Sequence, residues 1–189
     1  MEKTNLFKHK NYNFEIFDKP KIDTLNYDAK FGDLENETEE YSAKFVVQIS
    51  DNCGSFSNYL LIGSGQFSRF QSEMILFDGD DVLICCGGTI FCFQISEFKI
   101  KWLFELDEGI GFAVYKYLQK YFIKGEQSVT ALDLSGNFKW EFSGADIFGT
   151  PEGDDKLEID EKGVLVVDWN YTRHKIDFEG NLLWDTHNK

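Results

Sequence analysis

An eight-residue motif written twice constrains this chain more than any other feature. Asp133-Leu134-Ser135-Gly136-Asn137-Phe138-Lys139-Trp140 returns as Asp177-Phe178-Glu179-Gly180-Asn181-Leu182-Leu183-Trp184, and six of the eight positions agree in type. Trp102 closes a degenerate earlier copy, in which Ser96-Glu97-Phe98-Lys99 replaces Ser135-Gly136-Asn137 and lengthens the turn by one residue. The tryptophan intervals are 38 and 44 residues. A self-similar unit of that length is one supersecondary element that buries its apolar face only by stacking on its neighbours.

Two strand-like runs precede each tryptophan: Val82 to Cys86 and Ile90 to Ile95, Tyr121 to Gly125 and Val129 to Leu134, Val164 to Asp168 and Arg173 to Phe178. Gly87-Gly88 between two apolar runs marks a tight hairpin. Aromatics reach 16%, with 19 Phe and 8 Tyr, a balance that favours strands. No segment sustains a helical period. A period near 40 with three or four strands per unit is the pattern of β-propeller blades. The expected fold is all-β and antiparallel, with three or four propeller-like tandem blades in an open or incomplete array.

The expected layout is a single domain over 1–189. Residues 1–41 read as an irregular segment, with one strand at Asn11 to Phe17; 42–81 as divergent strands, with Gly63-Ser64-Gly65 as a turn; and 82–189 as three blade-like repeats.

Ala131-Leu132-Asp133-Leu134-Ser135-Gly136-Asn137-Phe138-Lys139-Trp140 resembles a blade of the pyrroloquinoline-quinone-type propeller repeat, which has Ala, Asp, Thr-Gly and Trp at set spacings. Here the turn is one residue shorter and serine takes the threonine place. The third copy keeps Asp177, Gly180 and Trp184 but has Lys175 at the alanine place. The resemblance covers 82–187. It implies that the glycines make turns and that Trp102, Trp140 and Trp184 are buried between blades. It does not imply the quinone, whose sites need six to eight blades, so no cofactor is expected.

The net charge is −14, from 33 acidic and 19 basic residues. A field of that sign repels nucleic acid and anionic lipid and favours a cationic partner. The first residues, Met1 to Lys10, lack the apolar stretch of a secretion signal, and no apolar run reaches the length of a membrane span. Cys53, Cys85, Cys86 and Cys92 form no C-x-x-C pair and read as reduced thiols of a cytoplasmic protein. His9, His174 and His187 have no metal-ligand spacing, and the acidic turns at Asp78 and Glu152 do not follow the calcium-loop pattern, so no metal is expected. No nucleophile elbow, Walker loop or dinucleotide fingerprint occurs, and no catalytic residue is assigned.

Residues 143–189 hold eleven acids and five bases. In a blade array the connections between repeats gather on one face. Asp78, Asp80, Asp81, Asp107, Glu108, Asp146, Glu152, Asp154, Asp155 and Asp168, with Trp169 and Tyr171, are the candidate partner-binding residues. The expected function is inhibition of a basic protein partner, since complementary charge raises association rate and selectivity. The composition resembles that of immunity proteins of bacterial contact-dependent and polymorphic toxin systems, which implies a nuclease toxin as partner. Two alternatives stay open: a propeller-like interaction module of a larger assembly, and a carbohydrate-binding or hydrolytic protein that would use an exposed Trp169.

Overall fold

The computed structural model describes residues 4–18, 26–36, 42–66, 69–107, 109–153 and 157–186. Glu108, Asp154 and Asp155, among the expected partner-binding residues, lie outside them. The chain divides into two compact units, Met1–Gly111 and Phe112–Lys189. Among the described residues the regular structure is strands with two short 3₁₀ turns, at Leu34–Asn36 and Ser72–Met74.

The first unit holds two sheets. One is five-stranded, in the order β1-β2-β4-β5-β3, from β1 (Thr4–His9), β2 (Tyr12–Asp18), β3 (Ala29–Gly32), β4 (Ser42–Asp51) and β5 (Phe56–Gln66). The segment that reads as irregular thus supplies three strands. Their signal is weak because β1 and β3 are edge strands, each with only part of one face buried. One pairing departs from the antiparallel expectation: β3 runs parallel to β5, from Ala29 opposite Tyr59 to Gly32 opposite Ile62. Gly63-Ser64-Gly65 is not a turn but the end of β5. Gly63 is there for proximity: a Cβ on it would lie 1.6 Å from the Cys86 carbonyl oxygen. Ser64 then accepts a bond from the Gly88 N–H at 2.8 Å, which ties β5 to the following sheet.

That following sheet is a four-stranded antiparallel meander of β6 (Ile75–Asp78), β7 (Asp81–Cys86), β8 (Thr89–Gln94) and β9 (Lys99–Glu105). The hairpin falls on Gly87-Gly88, with Cys86 opposite Thr89. β7 and β8 are buried on both faces, so they read as continuous apolar runs, while β9 alternates as an outer strand does. Cys85, Cys86 and Cys92 are buried there as free thiols, and Cys53 is exposed. Burial pushes the Cys86 and Cys92 thiols up to about 12, as it does for thiols packed in a core.

The second unit repeats the meander twice. β10 (Gly111–Tyr117), β11 (Lys120–Gly125), β12 (Ser128–Asp133) and β13 (Phe138–Ser143) form one sheet; β14 (Glu158–Asp160), β15 (Gly163–Val167), β16 (Arg173–Ile176) and β17 (Leu182–Asp185) form the other. Phe122, Val129, Ala131 and Trp140 of the first sheet bury themselves with Val164, Val166 and Ile176 of the second, in one core with Phe148 and Leu157. Each fully buried side chain of this size contributes about 1.5–3 kcal/mol, and this face-to-face burial holds the two sheets together.

The repeated motif forms the fastening between these sheets. The turn Phe178-Glu179-Gly180 sits against the preceding sheet. Phe178 stacks on Tyr117 with ring centroids 5.1 Å apart, and its carbonyl accepts the Trp140 indole N–H at 2.8 Å and the Lys120 ammonium. Gly180 lies against the Trp140 side chain. Trp140 is therefore buried, as the resemblance implies. Trp102 is half-buried. Trp184 corrects the expectation: it is 43% exposed, because it stands on the face of its sheet turned away from that core.

Candidate functional site

Among the described residues four turns share one construction. Asp51, Asp133, Asp168 and Asp177 each receive on one carboxylate oxygen the backbone N–H groups of the second and fourth residues beyond, at 2.8 to 3.0 Å. Each also closes a backbone pair with that fourth residue, such as Asp133 N–H to Asn137 O at 2.9 Å. This is the aspartate turn that competes with regular structure and stops a strand. In each the third residue beyond has positive φ: +93° at Gly54, +80° at Gly136, +90° at Gly180 and +61° at Tyr171. Three turns use glycine, which enters that region without a Cβ penalty. The fourth uses tyrosine. The aspartate turn of the motif written twice in the sequence thus occurs four times among the described residues, and its Tyr171 copy is disguised by the loss of glycine.

These carboxylates titrate low. The Lys139 and Asn137 side chains hold Asp133 well below the ordinary carboxylate range, the Asn181 side chain lowers Asp177, and the Ser55 backbone lowers Asp51. At Asp168 burial pushes upward, but the Thr172 backbone, His174 and the Asn170 backbone together bring it below its ordinary value. Folded values below unfolded ones contribute stability that is complete above pH ~4 and is lost as pH falls through the lower folded values. The melting temperature is therefore expected to be level from about pH 7 to 5 and to fall below pH ~4. Calorimetry across that range checks it, and a fall beginning near pH 6 contradicts it.

The Asp168 turn is the one of the four that carries exposed aromatic side chains. Asp168 itself is buried, with its second oxygen 3.2 Å from His174 Nε2. It anchors the turn and does not reach a partner. His174 packs between Phe142 and Phe148. Trp169 and Tyr171 leave the anchor outward, 48% and 53% exposed. The segment before β14 lies alongside, joined by Trp169 N–H to Ile147 O at 2.8 Å and by Gly149 N–H to Val167 O at 2.9 Å. It brings up the exposed Ile147 and two acids. Asp146 accepts from the Asn170 amide at 2.6 Å, and Glu152 accepts the Tyr171 hydroxyl at 2.7 and 2.8 Å. That bond lowers Glu152 and raises the Tyr171 phenol.

Asp146, Glu152, Trp169 and Tyr171 thus form one acidic–aromatic platform at the end of the last sheet where β15 turns into β16. Sequence reasoning omitted Ile147 and Asn170; their signal is contact across the chain and not spacing. The other acids stand in the first unit and serve locally: Asp80 accepts from the Ser96 hydroxyl, Asp81 pairs with Lys101 at 2.7 Å, Asp78 ends β6, and Asp107 is exposed beyond β9. Among the described residues no group of His, Cys, Asp and Glu side chains is arranged to hold a metal ion, and no helix is long and apolar enough to cross a membrane.

No protein-family model and no curated protein matches the chain. Solved structures do. The Pan2 WD40 domain of Neurospora crassa is 19% identical with a TM-score of 0.50, over 60% of this chain and 37% of that one. BamB from Moraxella catarrhalis is 17% identical with a TM-score of 0.51, over 85% and 49%. The Cps50 (Swd1) beta-propeller domain of Myceliophteria thermophila is 10% identical with a TM-score of 0.51, over 78% and 58%. This chain spans roughly 37% to 58% of the length of these structures. At these identities the likeness speaks for fold alone: the chain is built of β-propeller blades.

Proposed function

We propose that the protein is an interaction module that binds a basic protein through the platform of Asp146, Glu152, Trp169 and Tyr171. The carrying observation is the meeting, at one end of the last sheet, of two exposed aromatics with two carboxylates: Tyr171 is bonded to Glu152, and Asn170, the neighbour of Trp169, is bonded to Asp146. Aromatic rings with adjacent carboxylates suit lysine and arginine side chains, which stack on the ring and pair with the acid. The conformation of Tyr171 supports the reading. A bulky residue at φ +61° costs on the order of 1 kcal/mol where three sister turns use glycine, and strain of this kind collects at functional sites. Lys10, Phe98 and Leu118 also have positive φ, Phe98 in the turn that takes the place of Ser135-Gly136-Asn137, but none of the three lies in an aspartate turn of this construction.

The finer reading is an immunity protein that covers the active site of a basic nuclease toxin, acting in the cytoplasm by binding and without catalysis. The charge of −14 supports it, since a nuclease must be basic to hold phosphates. Buried free thiols fit a reducing compartment. The alternative of a scaffold in a larger assembly draws support from the propeller likeness.

The test is titration against a basic nuclease domain encoded beside this gene, over a series of salt concentrations. Affinity is expected to fall steeply with salt, and reversing Asp146 and Glu152 to lysine is expected to slow association by about tenfold or more. Tyr171→Gly is expected to raise stability by about 0.5–1 kcal/mol while weakening binding. Nuclease activity that persists in the complex eliminates the inhibitor reading. Binding that ignores salt favours the scaffold.

A further inference from the structure

We infer that the outer face of β14–β17 is a cap at which blade stacking stops. Its register allows comparison with β10–β13 position by position. Tyr121 opposite Leu132 corresponds to Val164 opposite Ile176, so Phe122, Val129, Ala131 and Trp140 correspond to Leu165, Arg173, Lys175 and Trp184. Both first hairpins have a two-residue turn, so Tyr115 and Tyr117 correspond to Glu158 and Asp160, and Lys120 to Gly163.

On β10–β13 these positions form the apolar surface that receives the next sheet. On β14–β17 four of them are charged. The charges are satisfied within the sheet: Lys175, though buried, donates to the Gly163 carbonyl at 3.0 Å and pairs with Asp160 at 2.8 Å. Glu158 and Arg173 are exposed. The fastening is dismantled as well, because the ring on which Phe178 stacks is replaced by Asp160 and the Lys120 ammonium by Gly163. Covering this face with another blade would strip water from Glu158 and Arg173 without supplying partners, which costs several kcal/mol per charge.

The consequence concerns assembly. A blade that offers an accepting face at every end stacks copies head to tail without limit. Repeat arrays avoid this with a polar terminal unit. The charged outer face of β14–β17 has the chemistry of such a unit.

Two variants of the full chain test the inference. In Glu158→Arg with Arg173→Asp, the mass by sedimentation is expected to equal that of the unaltered chain, and the melting temperature to shift by less than about 2 °C, as for solvated surface positions. A change of mass, or a fall above about 5 °C, overturns the inference because it means that the face is covered. In Glu158→Tyr, Asp160→Tyr, Arg173→Val and Lys175→Ala together, which restores the accepting pattern, the mass is expected to rise with concentration. A restored face that stays at the original mass overturns the claim that these charges stop stacking.

Discussion

Gly180→Ala lowers the stability of the second unit by about 2–4 kcal/mol, while Gly54→Ala costs about 1 kcal/mol. The two glycines occupy the same place in the same type of turn, at φ +90° and +93°. Each alanine therefore incurs the same backbone penalty, on the order of 1 kcal/mol. The surroundings differ. A Cβ at Gly180 would lie 2.7 Å from Trp140 Cγ and 2.8 Å from Cδ2, whereas nothing lies within 4 Å of one at Gly54. Trp140 cannot swing aside without breaking its bond to the Phe178 carbonyl, so the overlap adds an overpacking cost of about 1–3 kcal/mol. Urea unfolding of the two variants beside the unaltered chain measures the difference. Equal costs would show that Gly180 serves only its turn.

Trp140→Ala is expected to cost about 3–5 kcal/mol, and Trp184→Ala less than about 1 kcal/mol. The two residues hold the same place in the repeat. Trp140 is 8% exposed and packs against Phe122 with centroids 5.9 Å apart. Its removal opens a cavity in the core shared by two sheets and leaves the Phe178 carbonyl short of a donor. Trp184 is 43% exposed on the charged outer face, where water replaces it. Thermal unfolding followed by circular dichroism separates them, and a large loss at Trp184 would place that face in an interface.

Much of the strand order was legible because turn chemistry is local. Gly87-Gly88 and the Asp-to-Asn turns mark hairpins from a few adjacent residues, and the strands around them fall within a residue or two of their expected limits. What could not be read depends on contacts between distant parts of the chain. Gly63 suggests a turn until the Cys86 carbonyl is seen against it. β3 gives almost no signal because it is a four-residue edge strand that, among the described residues, pairs with β5 alone, in parallel. Trp184 repeats the residue type of Trp140, but burial is decided by the neighbouring sheet and not by the motif. For the candidate site, the acids and aromatics were legible from charge and exposure, but not the subset that meets. Asp146 and Glu152 join Trp169 and Tyr171 through backbone bonds around Ile147 and Gly149, and no spacing announces these.

The distribution of cysteine and tryptophan gives the two units separate optical and chemical identities. All four thiols lie in Met1–Gly111, three of them sealed in the core, while Trp140, Trp169 and Trp184 lie in Phe112–Lys189. A thiol-trapping reagent therefore times the opening of one unit, and indole fluorescence is weighted three to one toward the other. A single unlabelled sample thus carries a clock for each half of the chain, and a bound partner can be assigned to the half whose clock it slows.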